Sequence, residues 1–251
     1  MCEMVRHIII LSSSYSKGQR IALDMVVSDR REVDIFQQKV KRIKDECGED
    51  TSISIHSIAA PSAEWSAVEK EDNFFENVLV IETVEEFISL IQIDRKLSGA
   101  DVARYIIGQM SCTHLKLQKL VYYCYADYLC RTQERLFEDE IYAFALGPVV
   151  KSVREKFKEF RYIDSGDEGM IEERPALRMP VKSRILFAEK GIQKLRSIDE
   201  TIEVYGGFSA GQLVELTHRE GTPWDAVYDK TTVQIVPDKV IWERHCVEKK
   251  I

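Results

Sequence analysis

The 251-residue sequence lacks the long apolar runs and the compact motifs by which several protein classes are recognised. No hydrophobic stretch approaches the ~18 residues that a membrane-spanning helix needs. There is no Gly-x-Ser-x-Gly nucleophile turn and no Gly-x-x-x-x-Gly-Lys-Ser/Thr phosphate loop. Residues 1–11 have no small-residue cleavage site and predict a buried strand rather than a signal peptide. These absences argue against a membrane span, a hydrolase of the Gly-x-Ser-x-Gly class and a P-loop nucleotidase.

Metal-binding patterns are also missing from the sequence. No two of the six cysteines form a Cys-x-x-Cys pair, and the five histidines share no His-x-x-x-His spacing. A structural zinc site needs four converging ligands, so we expect neither a metal nor a cofactor. We predict that all six cysteines are reduced thiols. The corresponding location is the cytoplasm.

The sequence has no surplus of positive charge. Its net charge is −7. Residues 1–95 hold 11 Lys and Arg against 18 Asp and Glu, whereas residues 96–251 hold 24 of each. Nonspecific nucleic-acid binding depends on excess cations that neutralise phosphates. Nucleic acid and membrane are therefore not expected as partners.

The first 95 residues combine short β-branched runs with one amphipathic helical pattern. They predict strands over 5–11, 51–58 and 77–81, a strand or a helix over 20–27, a helix over 31–46, an acidic loop over 60–73 and a helix capped by Thr83. The region is predicted to be a small, acidic α/β domain, residues 1–95.

Residues 96–251 are predicted to form a second, mainly helical domain, which makes the chain α+β as a whole. Ser98, Thr113 and Ser209 stand where side chains cap helices. Further helices are predicted to start at Pro148 and around Pro223-Trp224 and to cover 183–205 and 237–248, with a short helical or extended element over 137–146 and a loop over 162–180. Tyr122, Tyr123, Tyr125 and Tyr128 are predicted to lie mostly in the core.

Two lysines stand at an unusual place. Lys116 and Lys119 follow the predicted cap Thr113, where cations oppose the helix dipole. The placement suggests an acceptor, either on a partner or within the chain. The alternative is a pair of solvated lysines that lie over Leu115 and Tyr123.

One histidine invites a catalytic interpretation. His218 and Glu220 lie close to Trp224 and suggest acid–base chemistry. No nucleophile stands at a recognisable spacing from them. The alternative is a histidine at a helix end that interacts with the helix dipole and the final carbonyls.

Three groups of residues, in a fixed order, resemble one family. They are Leu117, Gln118, Lys119, Leu120 and Tyr122, followed by Phe137; then Gly147-Pro148-Val149; then Thr217-His218 with Pro223-Trp224. In this order and at these separations the pattern resembles the Panacea domain of bacterial and phage antitoxins, which also occurs in SocA-like proteolytic adaptors and GepA-like phage-associated proteins. The resemblance covers roughly residues 97–230.

The resemblance implies a compact, mainly helical module that binds and neutralises a toxin encoded nearby. SocA-like members deliver the toxin to an ATP-dependent protease. We therefore expect a non-enzymatic antitoxin whose partner-binding residues are Lys116, Lys119, Tyr123, Gly147, Pro148, His218 and Trp224. The alternatives are a proteolytic adaptor, an enzyme built around His218, and a phage or mobile-element structural protein without a toxin partner.

The front region departs from the family pattern. Members often begin near the first conserved helix or carry a small DNA-binding helix-turn-helix in front of it, whereas residues 1–95 are acidic and predicted to be α/β. This departure argues against autoregulation through DNA. An acidic cluster of Glu64, Glu69, Glu71 and Asp72 would instead suit a basic surface on a toxin, since complementary charge speeds association.

Overall fold

The computed structural model describes residues 4–157, 162–163 and 181–249. The chain divides into two compact units, Met1–Arg95 and Lys96–Ile251. Most of the predicted loop over 162–180 lies outside the described residues. Within the described part of the chain, no helix combines the length and the apolar character that crossing a membrane would require.

The front unit is built on a four-stranded sheet. Its elements are β1 (Val5–Ser14), β2 (Gln19–Val27), α1 (Arg30–Cys47), β3 (Ser54–Ala60), α2 (Trp65–Glu71), a 3-10 turn (Asn73–Phe75), β4 (Leu79–Val80) and α3 (Val84–Arg95). The strand order is β3-β1-β2-β4, with β1 antiparallel to β2 and β3, and β4 parallel to β2.

Helices pack on both faces of this sheet. Alternating side chains of a strand point to opposite faces, so Ile10 joins the core formed with α1 and α3. Ile9 and Leu11 join the core on the other side, with Ala67 and Val68 of α2. The region 20–27 is thus a strand. The predicted acidic loop over 60–73 is wrong, because the apolar side chains within it form a helix that covers the sheet.

The second unit is mainly helical, as predicted. Its elements are α4 (Gly99–Gln109), β5 (Cys112–Thr113), α5 (His114–Thr132), β6 (Ile141–Phe144), β7 (Gly147–Val150), α6 (Lys151–Phe157), β8 (Tyr162–Ile163), a helical segment over 181–186, α7 (Gly191–Tyr205), α8 (Ala210–Thr217), β9 (Gln234–Ile235) and α9 (Asp238–Lys249). Helix α5 is central, because every residue from Leu117 to Leu129 is buried. The four tyrosines of α5 are core residues.

Three predicted helix starts in this unit need correction. Pro148 lies in strand β7, and the helix begins only at Lys151. Pro223 and Trp224 lie in a turn, not in a helix. The helix predicted over 183–205 is interrupted, and α7 begins at Gly191 after Lys190 adopts a left-handed backbone with φ 54°. The capping of helices by Ser98, Thr113 and Ser209 is confirmed.

Two cysteines correct the prediction of six reduced thiols. Cys130, near the end of α5, and Cys246, in α9, form a disulfide with a Cα–Cα distance of 5.5 Å. The packing of the terminal helix against α5 brings them together across 116 residues of sequence. Cys47, Cys112 and Cys124 are buried and take no part in this disulfide.

Candidate functional site

Two side chains of α5 bind the edge of β7 that points away from β6. The backbone N–H of Val150 donates to Oε1 of Gln118 at 3.0 Å, and Nζ of Lys119 donates to the carbonyl oxygen of Pro148 at 2.9 Å. Backbone groups two residues apart in a strand point to the same side. The nitrogen of Pro148 therefore faces α5 rather than β6, so its missing N–H removes no bond of the sheet.

Gly147 has no room for a side chain. It follows the two-residue turn between β6 and β7, pairs with Phe144 and has a φ of +101°. A Cβ atom there would lie 2.6 Å from Nζ of Lys119 and 2.7 Å from Oγ1 of Thr217. The first and third sequence motifs thus meet at the glycine of the second.

Trp224 ties the third motif to the same hairpin. Its Nε1 donates to the carbonyl oxygen of Phe144 at 2.8 Å. Its ring stacks on His218, with centroids 3.9 Å apart, and on Tyr228, with centroids 4.3 Å apart. Thr222 donates its hydroxyl to the carbonyl oxygen of Thr217 at 2.8 Å, which fixes the turn before the tryptophan. We call Gln118, Lys119, Gly147, Pro148, Thr217, His218 and Trp224 the motif cluster.

The motif cluster disfavours positive charge. Lys119 is 0% exposed, and burial lowers its pKa to about 7. Burial also lowers the pKa of His218, helped by the charge of Lys119. The pKa of His114 is lowered by burial and by Arg154 and Lys119. Nε2 of each histidine is buried without a hydrogen-bond partner in the described residues. These two rings are accordingly favoured in the neutral form near pH 7.

The predicted site residues fall into two groups. Lys119, Gly147, Pro148, His218 and Trp224 belong to the motif cluster. Lys116 and Tyr123 lie apart from it, towards α7: Nζ of Lys116 donates to the carbonyl oxygen of Gly206 at 2.7 Å, and Tyr123 stacks on Tyr205 at 4.2 Å. Both lysines thus have acceptors within the chain, and the alternative of solvated lysines is wrong.

Burial limits what these residues offer to a partner. Lys119, Tyr123, Gly147, Pro148 and Trp224 are all buried, and His218 and Lys116 are partly so. While the unit stays folded, the buried groups act on a partner only through the elements they position. His218, which caps the end of α8, stacks on the indole, while Glu220 is exposed.

The motif cluster holds the hairpin of a three-stranded sheet, and one face of this sheet points away from the core. The strand order is β7-β6-β9. Ile141 and Ala143 of β6 point inward and are buried, while Tyr142 and Phe144 point outward. We call the outward side the outer face, formed by Tyr142, Phe144, Val149, Val233 and Ile235. Sequence reasoning missed this surface. The sequence signal for this surface is the alternation of inward-facing and outward-facing side chains over 141–144.

A buried carboxylate was also missed. Asp127 of α5 is 0% exposed and accepts hydrogen bonds from Oγ1 of Thr201, at 3.0 Å, and from Nε2 of His245, at 2.7 Å. It thereby joins α5 to α7 and α9. The available signal was an acidic residue within an otherwise apolar and aromatic helix, since buried charges require partners. In the described parts of the chain, no three His, Cys, Asp or Glu residues are placed to hold a metal ion.

One region of the chain matches a known protein family. A family model described as "Antitoxin SocA-like, Panacea domain" matches residues 117–225. The matched span begins in α5 and ends one residue after Trp224, so it contains the whole motif cluster. No curated protein and no solved structure matches the chain.

Proposed function

We propose that this chain, whose residues 117–225 match the antitoxin SocA-like, Panacea-domain family, neutralises a cognate toxin by direct protein–protein binding. The family match supports an antitoxin-type role. The observation that carries the proposal is the family match over residues 117–225, which coincides with the motif cluster. The partner is a toxin encoded nearby, and the proposed site of action is the cytoplasm.

The geometry of the motif cluster supports a binding role rather than catalysis. A catalytic group must reach the proton or atom on which it acts. Lys119 and Trp224 instead donate to carbonyl oxygens of their own hairpin. Gln118 likewise accepts from the backbone of β7. These residues position a hairpin, which supports the view that the hairpin is the part a partner meets.

Co-expression tests the proposal. The neighbouring open reading frame is expressed alone, with the full chain, and with an unrelated protein of similar size, and colonies are counted. We expect toxicity that only the full chain relieves, together with a complex that elutes as one species in size-exclusion chromatography. A neighbour that is harmless, or toxicity that persists beside soluble full chain, would refute the antitoxin proposal.

A proteolytic adaptor is the second candidate, because the matching family is described as SocA-like. The two candidates differ in what happens to the toxin. A direct inhibitor leaves the half-life of the toxin unchanged or lengthens it, whereas an adaptor shortens it. Measuring the half-life after translation is blocked, in cells with and without the ATP-dependent protease, separates them. Rescue that disappears together with the protease would favour the adaptor.

The acidic cluster of the front unit is proposed to speed association. Glu64, Glu71 and Asp72 are exposed, and Glu69 is half-buried beside them on α2. Replacement of the four by Gln or Asn is expected to slow association and to flatten its salt dependence, because exposed charges act over about a Debye length. An unchanged on-rate would contradict this role while leaving the antitoxin proposal intact.

A further inference from the structure

The outer face and the edge of β9 that points away from β6 form one continuous surface in the second unit. We infer that this surface receives the toxin, and that the toxin contributes an extended, apolar segment with a carboxylate side chain. The inference rests on the proposed function and assigns it a place on the molecule. Three independent features of the surface support it.

The first feature is exposed apolar area. Val233 is 57% exposed and Ile235 is 44% exposed. Register places Val149, Tyr142 and Ile235 side by side across the three strands. A hollow of about 260 Å³ lies next to them, lined in part by Phe144 and Val149. Exposed apolar area combined with aromatic side chains is typical of protein-binding surfaces.

The second feature is an unpaired strand edge. The backbone N–H of Val236 donates to the carbonyl oxygen of Ile141 at 2.7 Å. Because backbone groups alternate sides along a strand, those of Ile235 and Val233 point away from β6. Among the described residues, no strand pairs with this edge. Such an edge binds extended segments by adding them as a strand.

The opposite edge of the sheet cannot serve this purpose. There the outward backbone groups of β7 are already bonded to Gln118 and Lys119 of α5. The motif cluster therefore closes one edge of the sheet, and β9 remains as the edge where a strand can be added. The family motifs, which are largely buried, thus position a sheet whose outer face and β9 edge are exposed.

The third feature is a cation at the rim of the hollow. The guanidinium of Arg154 lies over the ring of Phe144, 4.8 Å from its centroid. No carboxylate forms a salt bridge with Arg154 in the part of the chain that the structure describes, whereas Lys151 lies 4.0 Å from Glu155. A planar guanidinium that is held in place by a ring suits a carboxylate, which it can bind in a bidentate manner. Glu155 also lines the hollow, but it pairs with Lys151, which leaves Arg154 as the cation for an acidic residue on the toxin segment.

The main test introduces charge on the outer face of the full-length protein. The variant combines Val233→Asp with Ile235→Asp, and the matched control combines Ile192→Asp with Val204→Asp on α7, whose side chains are 79% and 55% exposed. The probe is the purified toxin that the wild-type chain neutralises in co-expression, and calorimetry measures Kd. We expect Kd to rise about tenfold or more for the outer-face variant and less than about twofold for the control.

Two further pairs of variants test the edge and the cation. Ile235→Pro removes the outward N–H while leaving the bond from Val236 to β6, and Ile235→Ala removes only the side chain. Arg154→Glu reverses the rim charge, and Lys156→Glu makes the same change on the same helix. We expect Ile235→Pro to weaken binding more than Ile235→Ala, and Arg154→Glu to weaken it about tenfold while Lys156→Glu changes it little. Circular dichroism and thermal melting establish that each variant is folded.

A crosslinking measurement tests the proposed surface even where one of these variants fails to fold. Benzoylphenylalanine replaces Ile235 in one protein and Ile192 in another, and each is irradiated with the toxin. Crosslinks from position 235 alone support the inference. Two results would overturn the inference that this surface binds the toxin: equal crosslinking from position 192, or wild-type Kd values for all outer-face variants. If the wild-type chain still rescues growth, the antitoxin proposal is unaffected by either result. If the wild-type chain neither rescues nor binds its neighbour, both proposals fall.

Discussion

The two sheets of this protein differ in how many of their faces are covered. The four-stranded sheet of the front unit has α1 and α3 on one face and α2 with the 3-10 turn on the other. In the three-stranded sheet of the second unit, the described residues cover only the inner face, where Ile141 and Ala143 are buried. A sheet with helices on both faces uses most of its area, here apart from β3, for its own core, whereas a sheet covered on one face keeps a face that can meet another molecule.

The β-hairpins of the two sheets show the same contrast. The turn between β1 and β2 closes with Gly18, which has a φ of +66° and no atom within 4 Å of the place where a Cβ would stand. The turn between β6 and β7 leads into Gly147, which is enclosed by Lys119 and Thr217. One hairpin therefore ends in open space, and the other is part of the motif cluster.

Substitution of the two glycines should produce the largest difference between the sheets. Gly18→Ala has only the left-handed backbone to accommodate, a cost of about 1 kcal/mol. Gly147→Ala adds overpacking against a buried ammonium and a hydroxyl, for a total of about 3 kcal/mol. Urea unfolding measures the free energy, and hydrogen exchange resolved by peptide shows which unit is affected. Equal costs at the two positions would show that the β6–β7 hairpin is not held more tightly than the front one.

Lys119 should give the second unit a pH dependence of stability. Burial lowers its pKa in the folded state to about 7, from an ordinary value of 10.5. Between these values the unfolded chain binds more protons than the folded one, so stability rises with pH. The gain in stability is complete above the pKa of the unfolded state and is lost as pH falls through the pKa of the folded state. From pH 5 to pH 9 we expect a gain of about 2.5 kcal/mol from this lysine.

The matched control for this prediction is Lys119→Met, which keeps much of the volume and cannot titrate. Subtracting the pH profile of the variant from that of the wild-type chain isolates the lysine from all other groups. A difference that stays flat between pH 7 and pH 9 would mean that Lys119 keeps its charge in the folded state. In that case the bond to Pro148 would outweigh burial.

The sequence predicted what is decided locally and missed what is decided at a distance. The capping boxes of Ser98 and Ser209 involve residues three apart, and both were found. Pro148 fits the first turn of a helix as well as an edge strand, and what selects the strand is Gln118 and Lys119, about 30 residues earlier in the chain. Likewise, Cys130 and Cys246 meet only because α9 packs on α5.

The candidate site shows the same limit. The motif residues were found from their order, and the resemblance they carry is confirmed by the family match. Their convergence was not predictable, because it depends on three segments that span about 110 residues. The outer face was missed because its alternating side chains extend over only four residues of β6, too few to separate a strand from a helical turn.

The smallest predicted difference concerns the two tryptophans that pack on the sheets. Nε1 of Trp224 donates to Phe144 in the three-stranded sheet, whereas Nε1 of Trp65, which packs on the four-stranded sheet, is buried without an acceptor in the described residues. Trp→Phe removes similar apolar area at both places, but only Trp224→Phe loses a hydrogen bond. An unsatisfied buried donor is itself destabilising, so its removal at Trp65→Phe offsets part of the lost packing. We expect Trp224→Phe to cost about 1 kcal/mol more than Trp65→Phe in urea unfolding. Equal costs would mean that the indole of Trp224 contributes packing alone, and that the third motif holds the hairpin by stacking rather than by its bond to β6.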